Sequence, residues 1–379
     1  MKPVVIIGTG LAGYSLAREF RALDKETPLT LITGDGGEYY SKPMLSNALA
    51  QGKEASALVL SDAAKMERTL DARVITHTRV EAVDRAARRV SWSGGTLDYG
   101  ALVMALGASP IRLPLTGSGA QEVLSVNSLD DYGGFRRRLE KARSVAIIGP
   151  GLIGCEFAND LQQGGRRVEV IGPDPYPIST LLPEAAGRAL QRALEAAGVG
   201  FHLGTVTGDI DRESHGYRVA LRDGGDLHAD LVLSAVGLRP DTELARAAGL
   251  EVNRGIVVDR YLRAGDGDIY ALGDCAEVEG RNLPFVMPLM FGARALARTL
   301  SGEPTPVRYP PMPVVIKTPS HPVVVLPPSP GAEGEWQVEP VGEGVRALFH
   351  DPHGRMAGFA LTGEACTEKQ ALIKAMESA

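Results

Sequence analysis

The sequence predicts an α/β fold: two doubly wound parallel-sheet units and a small α+β module at the C-terminal end. Three observations predict it. The apolar run Val4-Val5-Ile6-Ile7 leads straight into Gly8-Thr9-Gly10-Leu11-Ala12-Gly13, and Val145-Ala146-Ile147-Ile148 leads straight into Gly149-Pro150-Gly151-Leu152-Ile153-Gly154. Each glycine turn is followed by a stretch of helical period and then by another apolar run, the strand–helix–strand order of a parallel sheet. Finally, ten prolines lie between Pro304 and Pro330, a density no core strand holds because proline lacks the N–H donor. That segment reads as a linker into a separate small module.

In the first unit the strand Val4–Ile7 is followed by a helix over about residues 11–24. Its Leu16, Phe20 and Leu23 recur at i, i+4 and i+7 as one buried stripe, and a second strand follows at 29–33. The second unit repeats the plan with a strand at 145–148, a helix over Leu152–Gln163 and a strand at 168–171. Gly164-Gly165 supplies the C-terminal cap, where φ > 0 is required. Pro183, suited to a first helical turn, opens another helix that stops near Gly198 and carries Leu190 and Leu194 four apart. Between Thr205 and Val236 the pattern alternates. Asp223-Gly224-Gly225 separates Tyr217–Leu221 from a strand at 227–232, an antiparallel meander inserted in the parallel unit. A similar stretch at 73–92 sits in the first half, so the second half repeats the first at domain scale. In the C-terminal module Val314–Ile316, Val323–Leu326, 345–349 and 356–361 read as short strands, and 367–376 closes as a helix.

The chain has 379 residues, which implies two or three domains, and its 44 % hydrophobic content is enough for real cores but too interrupted for a membrane span. The N-terminal residues enter a strand at once, without the apolar h-region of a secretory signal. The three cysteines, Cys155, Cys275 and Cys366, lie far apart with no C-x-x-C spacing. That disfavours a local metal site or short-range redox disulfide and suits a reducing cytoplasm. A net charge of −6 argues against bulk nucleic-acid binding. His350 and His353 stand i, i+3 in a turn-forming sequence with no third ligand in view, so no metal is expected.

Each glycine turn has what a pyrophosphate needs. The first glycine bends the chain sharply out of the strand, the second lets backbone N–H groups approach the anion, and the third packs the helix closely. Two dinucleotide sites in one chain point to electrons passing between two bound cofactors.

Ile269-Tyr270-Ala271-Leu272-Gly273-Asp274 is an apolar strand ending in Gly-Asp before an expected helix. With Leu102-Val103-Met104-Ala105-Leu106-Gly107-Ala108 and Leu231-Val232-Leu233-Ser234-Ala235-Val236-Gly237-Leu238-Arg239-Pro240, it resembles the two-dinucleotide-domain flavoprotein disulfide reductase superfamily. The resemblance implies two Rossmann-like domains of glutathione-reductase type. FAD is expected on the 8–13 turn, with Asp274 on its ribityl chain, and NAD(H) on the 149–154 turn. The implied division is a discontinuous FAD-binding domain (1–112 and 238–310), an NAD-binding domain (113–237) and a C-terminal α+β domain (311–379).

Disulfide-reducing members carry a cysteine pair where this chain has Tyr39-Tyr40-Ser41-Lys42-Pro43-Met44-Leu45-Ser46. Without a dithiol, the reduced flavin must give its electrons directly to an acceptor. The segment is similar to the flavin-facing loop of the rubredoxin reductase family. The likeness extends through Gly154-Cys155-Glu156-Phe157-Ala158-Asn159-Asp160-Leu161, Val286-Met287-Pro288-Leu289-Met290 and Met312-Pro313-Val314-Val315-Ile316-Lys317-Thr318-Pro319. It implies that NADH gives a hydride to the flavin and that rubredoxin, a small iron–thiolate carrier, takes electrons one at a time. These would serve alkane hydroxylation or oxygen and peroxide detoxification.

By the same resemblance Lys42 lies beside flavin N5, Glu156 pairs with Lys42, and Lys317 stands near the pyrimidine end, where a cation favours the reduced flavin. Around the cofactors the resemblance also places Gly8, Thr9, Gly10, Leu11, Ala12, Gly13, Thr33, Gly34, Pro43, Val80, Ala105, Gly107, Gly273 and Val286. For the nicotinamide nucleotide it adds Gly149, Gly151, Leu152, Ile153, Gly154 and Gly237. Residue by residue, a helix-start glutamate also complements a helix dipole and a lone lysine also serves as a solvated surface charge.

The chain departs from the usual plan at the ends of its second strands, where an acid normally meets the ribose. Thr33-Gly34 and Gly172-Pro173 stand there, with Asp35 and Asp174 two residues further on. Adenosine recognition then rests on backbone groups or on those later acids. Arg166 and Arg167 precede the strand, so NADH is favoured over NADPH. Cys155 and Cys275 sit at helix starts, where a thiol pKa can fall, but a small buried hydrophobe is the simpler expectation. Competing functions are a ferredoxin reductase of an oxygenase system and an NADH oxidase, for which a cysteine near position 42 is missing. A redox-sensing interaction protein of the apoptosis-inducing-factor type is opposed by the net charge.

Overall fold

The computed structural model describes residues 3–378. They form two compact units. One comprises the chain up to Lys42, Ser56–Ser109 and Leu238–Tyr309; the other comprises Pro43–Ala55, Pro110–Gly237 and the chain from Pro310 on.

In the first unit five parallel strands lie in the order Ile269–Ala271, Ala101–Met104, Val4–Ile7, Leu29–Ile32, Arg73–Ile75. Val4–Ile7 is buried along its whole length, as a strand covered on both faces must be. Its neighbours lead in opposite directions, so the crevice of a doubly wound sheet opens at its C-terminal end, where Gly8 stands. The helix Leu11–Leu23 buries Leu16 and Phe20 completely, as the stripe predicts, whereas Leu23 is exposed at the helix end. The stretch 73–92 divides: Arg73–Ile75 joins the parallel sheet, and the antiparallel meander is Ala82–Asp84, Arg89–Trp92 and Gly95–Asp98.

In the second unit four parallel strands run in the order Val199–Leu203, Arg167–Gly172, Ser144–Ile148, Leu231–Ser234. The expected strand over 227–232 is two strands. Asp226–Ala229 closes the antiparallel meander and Leu231–Ser234 enters the parallel sheet. Asp230 marks the change: its carboxylate accepts from Arg143 N, Ser144 N and the Ser144 hydroxyl, at 2.7–2.9 Å.

The same unit holds an antiparallel sheet ordered Val314–Ile316, Val323–Leu326, Met356–Thr362, Gly344–His350, Glu335–Val341. Phe359 and Leu361 bury its face together with Leu372 of the closing helix Lys369–Ser378, which a 3₁₀ segment Gly363–Glu368 precedes. The strand Glu335–Val341 is absent from the sequence reading. It is an edge strand, largely exposed and carrying Pro340, although Trp336 and Val338 alternate with Glu335, Gln337 and Glu339, a signal the sequence does offer. The helix Leu129–Leu139 is a second element beyond the sequence reading, although Ser128-x-x-Asp131 forms a capping box at its start.

Candidate functional site

The two glycine turns share one construction, and it fits a dinucleotide. Gly8 has φ +107°, and a Cβ there would stand 2.2 Å from Ala105 O; Gly13 would place one 1.9 Å from Gly8 O. In the second unit Gly149 has φ +109° with Ala235 O at 2.7 Å, and Gly154 would place a Cβ 1.9 Å from Gly149 O. The first and third glycines are thus enforced by the protein's own backbone. The middle glycines, Gly10 and Gly151, are helix N-caps in extended conformation with nothing within 4 Å of an added Cβ. They face open space at the N-terminus of a helix without an acid in its first turn, the environment a pyrophosphate takes.

Around the first turn, Gly273 (φ +81°) brings the Gly-Asp corner against the helix, its Cβ direction 2.8 Å from Ala12 Cβ. Asp274 follows in a 3₁₀ turn, not at the start of a long helix: a strand Ala276–Val278 comes next, and the helix begins only at Val286. Burial raises the Asp274 carboxyl above the ordinary aspartate range, and the charge of Lys42 partly offsets this. Lys42 and Pro43 open the 3₁₀ segment Lys42–Ser46. Thr9 and Thr33 are buried, and both hydroxyls donate to Asp35 Oδ1, at 3.4 and 2.7 Å. Val80 and Ala105 line the core, Gly107 takes φ +75°, and Gly34, Leu11 and Val286 keep partial or full exposure.

Around the second turn, Leu152 is half-buried and Ile153 exposed, while Gly237 takes φ +101° beside Ile111. Glu156 is wholly buried. Its Oε1 accepts from Lys317 N at 2.8 Å and its Oε2 from Lys317 Nζ at 2.6 Å, and the Ser46 hydroxyl donates to Oε2 as well. The family resemblance pairs Glu156 with Lys42; within its own unit the carboxylate is held by Lys317 and Ser46.

The rest of this helix face lies beyond the sequence reading. Asn159 Oδ1 accepts from Ser320 N at 3.1 Å, and the Asp160 oxygens accept from Leu49 N and Ala50 N at 2.8 and 3.1 Å. Glu156, Asn159 and Asp160 stand at i, i+3 and i+4, so the available signal is a polar stripe on an otherwise apolar helix. Cys155 and Cys275 are buried: desolvation drives the Cys155 thiol up, with Glu156 and Asp174 adding to it, and raises Cys275 to about 11. Both are inert packing groups, as the simpler expectation has it.

Two nucleotide-binding turns, an Asp at the corner beside the first and no dithiol define a two-cofactor oxidoreductase. The chain belongs to the pyridine nucleotide-disulphide oxidoreductase family, whose profile matches residues 2–294. A second profile, the rubredoxin binding C-terminal domain, matches residues 306–376. Over 99 % of its length the chain is 50 % identical to the rubredoxin-NAD(+) reductase of Alcanivorax borkumensis, covering 98 % of that protein. It is 44 % identical to the rubredoxin-NAD(+) reductase of Acinetobacter baylyi, over 96 % of this chain and 94 % of the other. A solved ferredoxin reductase from Rhodopseudomonas palustris superposes with a TM-score of 0.89 at 26 % identity, over 97 % of this chain and 93 % of its own. Among the described residues no helix is long and apolar enough to cross a membrane.

Proposed function

We propose that this chain passes electrons from NADH through FAD to rubredoxin in the cytoplasm. The observation that carries the reading is the rubredoxin binding domain matched at 306–376, in a chain whose Tyr39-to-Ser46 segment has no cysteine to receive electrons first. FAD, when bound, supplies the step from a two-electron donor to a one-electron acceptor.

The protein's part is positioning and electrostatics. The FAD-binding domain is 1–112 with 238–310. Its 8–13 turn offers first-turn N–H groups to the FAD pyrophosphate, and Asp274 offers a carboxyl to the ribityl hydroxyls. The NAD-binding domain is 113–237, and its 149–154 turn takes the nicotinamide nucleotide. Lys42 and Lys317 are the cations assigned to the flavin, and Glu156 holds the Lys317 ammonium in one place. No side chain is needed as a nucleophile. The 311–379 domain takes rubredoxin, whose electrons serve alkane hydroxylation or oxygen and peroxide detoxification.

Steady-state oxidation of NADH by the purified holoenzyme, with rubredoxin, ferredoxin or oxygen as acceptor, tests this reading. Rubredoxin is expected to be reduced far faster than the other two. Turnover with rubredoxin no faster than with free FAD overturns it.

A further inference from the structure

The segment after Lys42 groups with the unit that carries the second glycine turn. Pro43–Ala55 belongs with Pro110–Gly237, while Lys42 ends a stretch of the other unit. The two are joined by the Lys42–Pro43 peptide bond, inside the single 3₁₀ turn Lys42–Ser46. Lys42 therefore takes its backbone direction from a segment whose own position is fixed elsewhere.

The helix Leu152–Gln163 fixes it. Leu45, Ser46, Ala48 and Leu49 are buried, so this part of the segment is packed against its unit. The chain then turns, closed by Gly52 N donating to Leu49 O at 2.9 Å and Lys53 N to Ala48 O at 3.1 Å. As at the start of a helix, the first N–H groups of such a turn point out of it and need an acceptor. Leu49 N and Ala50 N are those groups, and each donates to one oxygen of Asp160, at 2.8 and 3.1 Å, across 111 and 110 positions of sequence. Asp160 is only 4 % exposed. One turn earlier on the same helix Glu156 accepts from the Ser46 hydroxyl, and at the far end the Tyr132 hydroxyl donates to Lys53 O at 2.8 Å. Those are single bonds, whereas Asp160 grips two consecutive backbone amides and so fixes direction as well as place. Burying a carboxyl costs free energy that a hydroxyl or amide cap would not.

We infer that Asp160 is a positioning residue for Lys42: by holding the Leu49 and Ala50 amides it fixes the 3₁₀ turn that presents the Lys42 ammonium, and so helps to set the flavin potential. The inference rests on the functional reading above, in that Lys42 stands beside the flavin. Asparagine at 160 keeps one acceptor oxygen and loses the other, which releases one of the two amides. A displaced cation stabilises the reduced flavin less, so the potential becomes more negative. Direct electrostatics would act the other way, because removing a negative charge makes a flavin easier to reduce. The sign of the shift separates the two.

Anaerobic redox titration of the FAD-loaded protein, with amide exchange of the 43–54 segment read by mass spectrometry, tests this without any turnover. Lys42→Ala should lower the ratio of reduced to oxidised flavin at a given potential about tenfold, roughly 30 mV for this two-electron couple. Asp160→Asn should lower it about threefold and quicken exchange in the segment. Ala50→Pro deletes one donor at an exposed position, leaves Asp160 in place and should reproduce the shift. In the Lys42→Ala background the Asp160→Asn shift should vanish, because it acts through the lysine. Asp230→Asn is the control. Its carboxylate likewise accepts from two consecutive amides, Arg143 N and Ser144 N at 2.7 and 2.9 Å, and its loss should leave both the potential and exchange over 43–54 unchanged. A positive or absent shift in Asp160→Asn, a shift that persists without Lys42, or an equal shift in Asp230→Asn overturns the inference. An unchanged potential in Lys42→Ala overturns instead the placing of Lys42 beside the flavin.

Discussion

Replacing Lys317 by methionine removes one charge from a pair whose other member cannot reach water. The Lys317 side chain is 26 % exposed and Glu156 is 0 % exposed, with 2.6 Å between Nζ and Oε2. Methionine keeps most of the apolar stem, so the change is close to deletion of the ammonium alone. Two donors to Glu156 survive, Lys317 N at 2.8 Å and the Ser46 hydroxyl. Breaking a buried pair costs about 3–5 kcal/mol because the remaining charge is uncompensated, and the surviving donors put this case at the low end, about 3 kcal/mol. A double-mutant cycle with Glu156→Gln, read as urea unfolding by circular dichroism, isolates the pair. The substituted amide carries no charge, its oxygen still accepts from Lys317 N and its NH2 donates to the Ser46 hydroxyl oxygen, so the double variant should be more stable than the sum of the single losses by about 2 kcal/mol. In the holoenzyme, Lys317→Met should also move the flavin potential negative, roughly 30 mV for each 1.4 kcal/mol of lost stabilisation of the reduced form. Additive single losses, or a Lys317→Met loss under about 1 kcal/mol, would refute the reasoning.

The two turns can be separated by one methyl group each. Gly13→Ala should abolish FAD retention, whereas Gly154→Ala should keep FAD but weaken NADH, because each Cβ meets a carbonyl oxygen at 1.9 Å. Flavin absorbance of the purified variants and NADH bleaching decide, and FAD loss in Gly154→Ala alone would reverse the assignment. Asp160 carries a pH signature: burial raises its carboxyl above the ordinary aspartate range despite the Leu49 and Ala50 N–H bonds. The folded chain therefore holds that proton more tightly than the unfolded chain. This contribution to stability is complete below the unfolded pKa and is lost as pH rises through the folded one. Asp160→Asn should remove that fall from the urea midpoint measured between roughly pH 4 and 7. An identical pH slope in the variant would count against it.

Much of the frame is legible in the sequence because it depends on local backbone demands. Gly8 and Gly149 must take positive φ at a strand end, and Val4–Ile7 must be apolar throughout to lie in a parallel sheet. The elements that escape a sequence reading lack such demands. Glu335–Val341 meets water over most of its length, and the helix Leu129–Leu139 shows its cap and one apolar stripe, Tyr132, Phe135 and Leu139, interrupted by Gly133-Gly134. The boundary at Asp230 shows in the sequence only as the change from alternation to the run Leu231-Val232-Leu233, and the bonds to Arg143 and Ser144 fix where the chain changes sheets.

The sequence by itself determined the two doubly wound units, the class of ligand their turns take and the absence of a dithiol at Tyr39 to Ser46. Each follows from residue type within a few positions. Only the tertiary structure decided the partners. Glu156 meets Lys317 across 161 positions and Ser46 across 110, and Pro150 empties position 172 of any side chain. Which buried donor reaches a carboxylate, and which ring fills the space beside a glycine, depends on how distant segments pack, and no local spacing encodes that.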